Sequence, residues 1–209
     1  MPLQIMPVTA PYYDSVFDVA TSVFATASSL HHALGISVDE YRFYLRVPFM
    51  AMLEEDLSLM VVDTAQDQVA AVAVGTDICS QTPSSVSDHP GKLAPVTALS
   101  AQLTAQYLAH RQPQPGQSAL VDMAAVLPAY RKMGLYADLR RAFADHARAR
   151  GFQYVVGELS SPVTQHVVVA QMEHDIVAKI AFADFTLAGQ HPFQSITSPT
   201  HILLTEGRL

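Results

Sequence analysis

The sequence predicts an α/β protein with a mixed sheet, and two patterns carry that prediction. Short β-favouring runs alternate with longer stretches whose apolar residues recur at three and four, in the order β-α-α-β-β-α-β-α-β-α-β-β. The composition supplies a core: of 209 residues, 50% are hydrophobic and 15% charged, which excludes a globally disordered chain. A chain of this length suits one domain, taken as residues 1–209.

Residues 3–8 form a short β-like run. Over residues 12–33, Val16, Phe17, Ala20, Val23, Phe24 and Ala27 make one apolar helical face, and Gly35 stops it. Ser37 and Glu40 stand in a capping-box pattern that starts a second helix running toward Leu53, with Pro48 expected to kink or end it. Residues 57–63 and 69–77 read as a hairpin across the turn 64–68. Residues 80–90, rich in Ser, Pro, Thr and Asp, read as a mobile loop. A helix is expected over 93–110, then a breaker over 111–117. Residues 118–127 form a strand that Pro128 ends. Residues 131–150 make the strongest helix, with Leu135, Leu139, Ala142, Phe143 and Ala147 on one face. Arg148 and Arg150 suit its C-terminal dipole, and Gly151 its C′ position. A strand over 152–158, a short helix over 162–172 and strands over 175–185 and 201–206 complete the order.

The charge balance narrows the function classes. Twelve Lys and Arg against 19 Asp and Glu give a net charge of −7, a poor match to a phosphate backbone and a good one to a cationic amine. Cys79 is the one cysteine, so no intramolecular disulfide and no cysteine-cluster metal site forms. The histidines lack HExxH or close metal-ligand spacing, and no G-x-S-x-G marks a nucleophile elbow. No apolar run reaches membrane-spanning length, and the start lacks a signal-peptide layout, so a cytoplasmic location is expected. The oligomeric state is not set by the sequence; a homodimer is one option.

One unit carries chemistry: a strand, then Pro128-Ala129-Tyr130, then Arg131-Lys132-Met133-Gly134-Leu135-Tyr136 leading into a long helix. A strand turning directly into a helix leaves free N–H groups at the positive end of the helix dipole, which suits a phosphate. Arg131 and Lys132 add cations there, and Gly134 lets an anion approach the backbone.

Residues 126–136 resemble the acetyl-CoA-binding motif of the GNAT superfamily of N-acetyltransferases, V-x-P-x-x-[R/Q]-x-x-G-x-[G/A]. Val126, Pro128, Arg131 and Gly134 match it, whereas Tyr136 stands where the family has Gly or Ala. Residues 24–45 resemble the paired N-terminal helices of the arylalkylamine N-acetyltransferase branch, and residues 180–185 a strand of its second half. The resemblance implies a mixed, mostly antiparallel central sheet flanked by helices. It also implies acetyl-CoA as co-substrate and a small-molecule amine as acceptor, joined by direct attack in a ternary complex. By position, the backbone of Ala124, Ala125 and Val126 would pair with the pantetheine arm. The N–H groups of Arg131, Lys132, Met133, Gly134, Leu135 and Tyr136 would hold the pyrophosphate. Ser160, Ser161 and Val163 would lie where the strands splay to admit the thioester. Glu173-His174 replace the family's common Gly-Phe, and the family's thiol-protonating tyrosine is absent from residues 162–172.

Acetyl transfer needs a base for the amine and an acid for the leaving thiolate. His31 and His32 stand where the arylalkylamine branch places its base, and histidine titrates near neutrality. Asp122, on the expected cofactor strand, is a second candidate and would bind the amine's cation. Ser161 and Thr164 are the hydroxyl candidates for the acid, with a helix N-cap the competing role for Ser161. Phe24, Leu30, His31, Tyr41, Tyr44, Phe49 and Met50 are expected among the amine pocket's walls. Two other readings compete with an acetyltransferase. One is a catalytically degenerate domain that holds acyl-CoA as a sensor or has lost the cofactor altogether, a loss that Tyr136 favours. The other is an α/β enzyme using a different phosphorylated ligand at the same helix start, against which the lack of a second glycine-rich loop argues in the case of a nucleoside triphosphate.

Overall fold

The computed structural model describes residues 2–80 and 91–209. The order is β1 (Leu3–Pro7), α1 (Tyr13–Ala27), α2 (Ser29–Leu34), α3 (Val38–Leu53), β2 (Leu59–Asp63), β3 (Gln68–Asp77), α4 (Ala94–Arg111), β4 (Ser118–Val126), α5 (Leu135–Ala149), β5 (Tyr154–Leu159), α6 (Pro162–Gln165), β6 (Asp175–Ala181) and β7 (His201–Arg208). The seven strands form one sheet in the order β1-β2-β3-β4-β5-β7-β6. Every neighbouring pair is antiparallel except β4 and β5, which run parallel.

Alternation along the strands assigns the helices to two faces. Val72 and Val74 face α1 and α3, packing with Phe17, Phe49 and Leu53. Val156 and Leu204 face α4 through Leu99, Leu103 and Tyr107 on the same side. Ala73, Val121 and Val155 face the other way, against Leu135, Leu139 and Phe143 of α5. Phe143 lies so close to β3 that a Cβ on Gly75 would stand 2.2 Å from its ring.

Several expected boundaries move, each for a local reason. The first long helix divides at Ser28, whose extended backbone ends α1 and whose side chain caps α2 by accepting from the His31 N–H. Pro48 does not end α3: the helix continues to Leu53, with Pro48 buried against the protein. The Ser37–Glu40 capping box forms. The helix expected from residue 131 begins at Leu135, because Lys132 (φ 63°) and Gly134 (φ 81°) adopt left-handed conformations that a helix cannot contain. The short helix expected over 162–172 splits into α6 and a wider-wound turn, His166–Gln171. The strand expected to reach residue 185 leaves the sheet after Ala181, and Phe182 and Phe185 pack with Phe193 instead. From residue 81 onward, the loop expected over 80–90 lies outside the described residues.

Candidate active site

The sheet opens between β4 and β5. Their pairing holds over four register positions, Ser118 with Tyr154 through Val121 with Gly157. Beyond these, β4 continues to Val126 against β3 and β5 continues to Leu159 against β7, so the strands part at Asp122 and Glu158. Asp122 also has no partner on β3: Gly75 pairs with Val121 and Val74 with Met123, leaving Asp122 as the extra residue of a β-bulge. Bulges of this kind re-aim a side chain beside a site.

A cavity of about 1360 Å³ fills the divergence. Asp122 and Glu158 line it, with Glu55 and Asp77 further along the wall. Asp122 is open to the cavity and accepts a hydrogen bond from the Thr76 hydroxyl at 3.0 Å. The protein around it pushes its carboxyl up to about 6, helped by the Glu55 carboxylate. Glu158 accepts from the Ser100 hydroxyl of α4 at 2.5 Å. Burial, with the Asp122 charge nearby, pushes Glu158 up to about 7. Two carboxyls with raised and different affinities for a proton thus sit at the head of the opening.

His31 reaches the same cavity from α2. It is 3% exposed, its ring meets Tyr41 edge-on at 4.3 Å, and neither ring nitrogen has a hydrogen-bond partner. Burial, with His32 beside it, pushes its pKa down to about 4, so the imidazole is neutral at pH 7. His32 is exposed and lies apart from the cavity wall. Phe24, Leu30 and Tyr41 join His31 in lining it. Phe49 does not: it is fully buried against Phe17. Tyr44 and Met50 also lie off the wall.

The turn before α5 has the backbone of an anion cradle. Lys132 and Gly134 are left-handed, and Gly134 caps α5 without any side-chain hydrogen bond, which leaves first-turn N–H groups for a ligand. Arg131, Lys132, Met133 and Gly134 are exposed there, while Leu135 turns into the core. Two residues depart from the cradle's demands. Asp138 brings a carboxylate within 3.8 Å of where a Gly134 Cβ would stand. Tyr136 stands in the cavity wall, packed against the cluster of Leu159, Val168 and Leu203.

On β4, Ala124 lines the cavity, while Ala125 is buried in the core of the α1 face and Val126 packs on the α5 side. Ser160 and Ser161 line it, whereas Val163 points outward and is 69% exposed. The Ser161 hydroxyl accepts from the Thr164 N–H at 3.2 Å, and the Thr164 hydroxyl donates to the Ser161 carbonyl at 3.0 Å. Both hydroxyls thus serve the start of α6, and Thr164, like Ser161, also lines the cavity.

Glu158 and Arg140 escaped the sequence reading. Each left a signal: Glu158 follows Gly157 as a lone charge in an apolar strand, and Arg140 falls four residues after Tyr136 on the helix side that packs inward. Among the described residues, no group of three His, Cys, Asp or Glu is placed to hold a metal ion, and no helix is long and apolar enough to cross a membrane.

No family profile and no curated protein matches the sequence. Solved structures do match in shape. The C-terminal condensation domain of Ebony, in complex with beta-alanyl-dopamine, superposes with a TM-score of 0.89 at 17% identity over 100% of both chains. A mosquito arylalkylamine N-acetyltransferase, like 5b, gives 0.82 at 16% identity, again over 100% of both. The Drosophila melanogaster polyamine N-acetyltransferase, which catalyses formation of N-acetylagmatine, gives 0.76 at 17% over 100% of both. These likenesses establish the fold: a mixed, mostly antiparallel sheet flanked by helices, as in the GNAT N-acetyltransferases.

Proposed function

We propose that this chain, which has the GNAT fold, is an N-acyltransferase passing an acyl group from a thioester to a small amine, with acetyl-CoA the donor that the α5 turn suggests. The observation that carries the proposal is the parting of β4 and β5 with Asp122 and Glu158 at its head, opening on a cavity large enough for both reactants. A cationic amine binds the carboxylates and gives up its proton there. Glu158, held at about 7, takes the proton at neutral pH more readily than Asp122, held at about 6, which remains the charge that retains the amine. His31, neutral and without a partner, offers a hydrogen bond to the amine side of the substrate. His32, being exposed, has no part in the transfer. The free amine attacks the thioester carbonyl directly. Arg131, Lys132 and the N–H groups before α5 would hold the donor's phosphates.

A second reading concerns the donor alone. Tyr136 in the cavity wall and Asp138 beside the cradle favour a thioester whose carrier does not seat a pyrophosphate at this turn.

Calorimetry with acetyl-CoA, with desulfo-CoA and ATP as controls, separates the two readings. A panel of phenethylamine, tyramine, dopamine and agmatine, followed by thiol release, tests the transfer. Saturable binding of acetyl-CoA but not ATP, with amine-dependent thiol release, is the expected result. Transfer from a pantetheine thioester without measurable CoA binding supports the second reading. No transfer from either donor overturns the acyltransferase assignment.

A further inference from the structure

The cavity is divided by charge. Asp122 and Glu158 lie on the sheet face covered by α1 and α4, as the Glu158–Ser100 hydrogen bond requires. Gly157, one residue earlier, faces the other way, toward α5. Arg140 occupies the room that glycine leaves: a Cβ on Gly157 would stand 2.9 Å from its Nη1. Tyr136, one turn earlier on α5, leans across to Leu159 on the same face. Both Tyr136 and Arg140 line the cavity, so it passes through the sheet from the acidic side to this one.

Arg140 is 3% exposed, and its Nη2 has no hydrogen-bond partner. The charges around it leave it uncompensated. His174 is pushed down to about 4 by burial and by Arg140 itself, and is neutral at pH 7. Glu206 is taken by Arg111 and by the Tyr107 hydroxyl. The other arginine on the cavity wall, Arg150, is paired with Asp56. An unpaired guanidinium away from water is costly, and an anion formed during the reaction would offset that cost.

Resting on the acyltransferase reading, we infer that Arg140 and Tyr136 form the leaving-group site, Tyr136 protonating the departing thiolate and Arg140 stabilising the negative charge. As the tetrahedral adduct collapses, the carbon–sulfur bond breaks and its electron pair goes to sulfur. The Tyr136 hydroxyl proton passes to sulfur, giving the free thiol. The phenolate left beside Arg140 takes up, through water, the proton that the adduct's nitrogen loses as the amide forms, so that the one proton released overall is the one the ammonium gave up at the carboxylates. Arg140 beside Tyr136 favours the phenolate, countering the effect of burial on the hydroxyl.

The test varies the leaving group. Tyr136→Phe, Arg140→Met and Arg140→Lys are assayed with acetyl-CoA and with S-(4-nitrophenyl) thioacetate, whose aryl thiolate departs without a proton, against the same amine panel. Tyr136→Phe and Arg140→Met lose about 100-fold in kcat with acetyl-CoA and no more than about fivefold with the aryl ester. Arg140→Lys, which keeps the charge, recovers part of the loss. Asp122→Asn, acting on the amine, loses equally with both donors. Arg140→Met removes an unpaired buried charge and keeps or raises the melting temperature; should it fail to fold, Tyr136→Phe carries the test. Equal losses with both donors, or no loss, overturn the inference and leave the acyltransferase reading standing. No transfer from either donor by the unmodified chain overturns both.

Discussion

Glu158 pairs a role with a cost. Its carboxyl is held at about 7 against an ordinary 4.5, so the folded chain disfavours the charge that the unfolded chain accepts freely. The stability this residue contributes is complete below about pH 4.5 and is lost as the pH rises toward 7. Glu158→Gln should therefore raise the melting temperature at pH 8 and leave it unchanged at pH 4, as thermal denaturation at the two pH values will show. The same substitution should lower kcat/KM by about 10²-fold and remove the rise in rate between pH 6 and 8 expected of a base with this affinity. His31 has the opposite sign: its pKa is depressed, so its stabilising contribution is full above 6.5 and lost as the pH falls through about 4. Residues of this kind are only half legible in a sequence. Asp122 is a candidate in the sequence because it sits on the strand that leads into the glycine turn, and the structure places it on the cavity wall. Glu158 was missed because its significance depends on where two distant strands part, and His31 and His32 were indistinguishable until a helix surface buried one of them.

Elements were easier to read than residues, because periodicity and caps are local. The Ser37–Glu40 box and the Gly151 stop stood where the sequence put them. Ser37→Ala should cost about 1 kcal/mol, measurable as a lower urea midpoint. Pro48, expected to kink or end α3, does not end it: burial of the surrounding turn outweighs the one lost hydrogen bond and the one steric clash. The start of α5 was misplaced because left-handed Lys132 is not encoded by any glycine. Gly75 shows what packing demands between elements. Gly75→Ala drives a methyl group into the Phe143 ring, at a cost of about 1–3 kcal/mol, observable by denaturation. Tyr136→Gly should tighten CoA binding about tenfold by calorimetry, since it removes a bulky side chain from the cavity wall beside the turn, while acyl transfer falls.

For the molecule as a whole, the fold class followed from the order of elements, and the candidate site was sought beside a short stretch of sequence that resembles a known turn. The charge balance adds a long-range effect: a chain of net charge −7 with carboxylates at its cavity draws cationic amines from solution. Raising the salt from 10 to 150 mM should lower kcat/KM for a cationic amine about threefold, with little change in kcat.

The parallel seam between β4 and β5 has a mechanical consequence. Two antiparallel blocks, β1 to β4 and β5 to β7 with β6, meet in the sheet along only four register positions. Helix packing crosses that seam: Leu135, Leu139 and Phe143 of α5 lie against Ala73 and Val121 of one block and against Val155 of the other. The four pairs are thus a rivet between two plates that the helix braces, and the gap between Asp122 and Glu158 is a notch the fold holds open without breaking a strand pair within either plate.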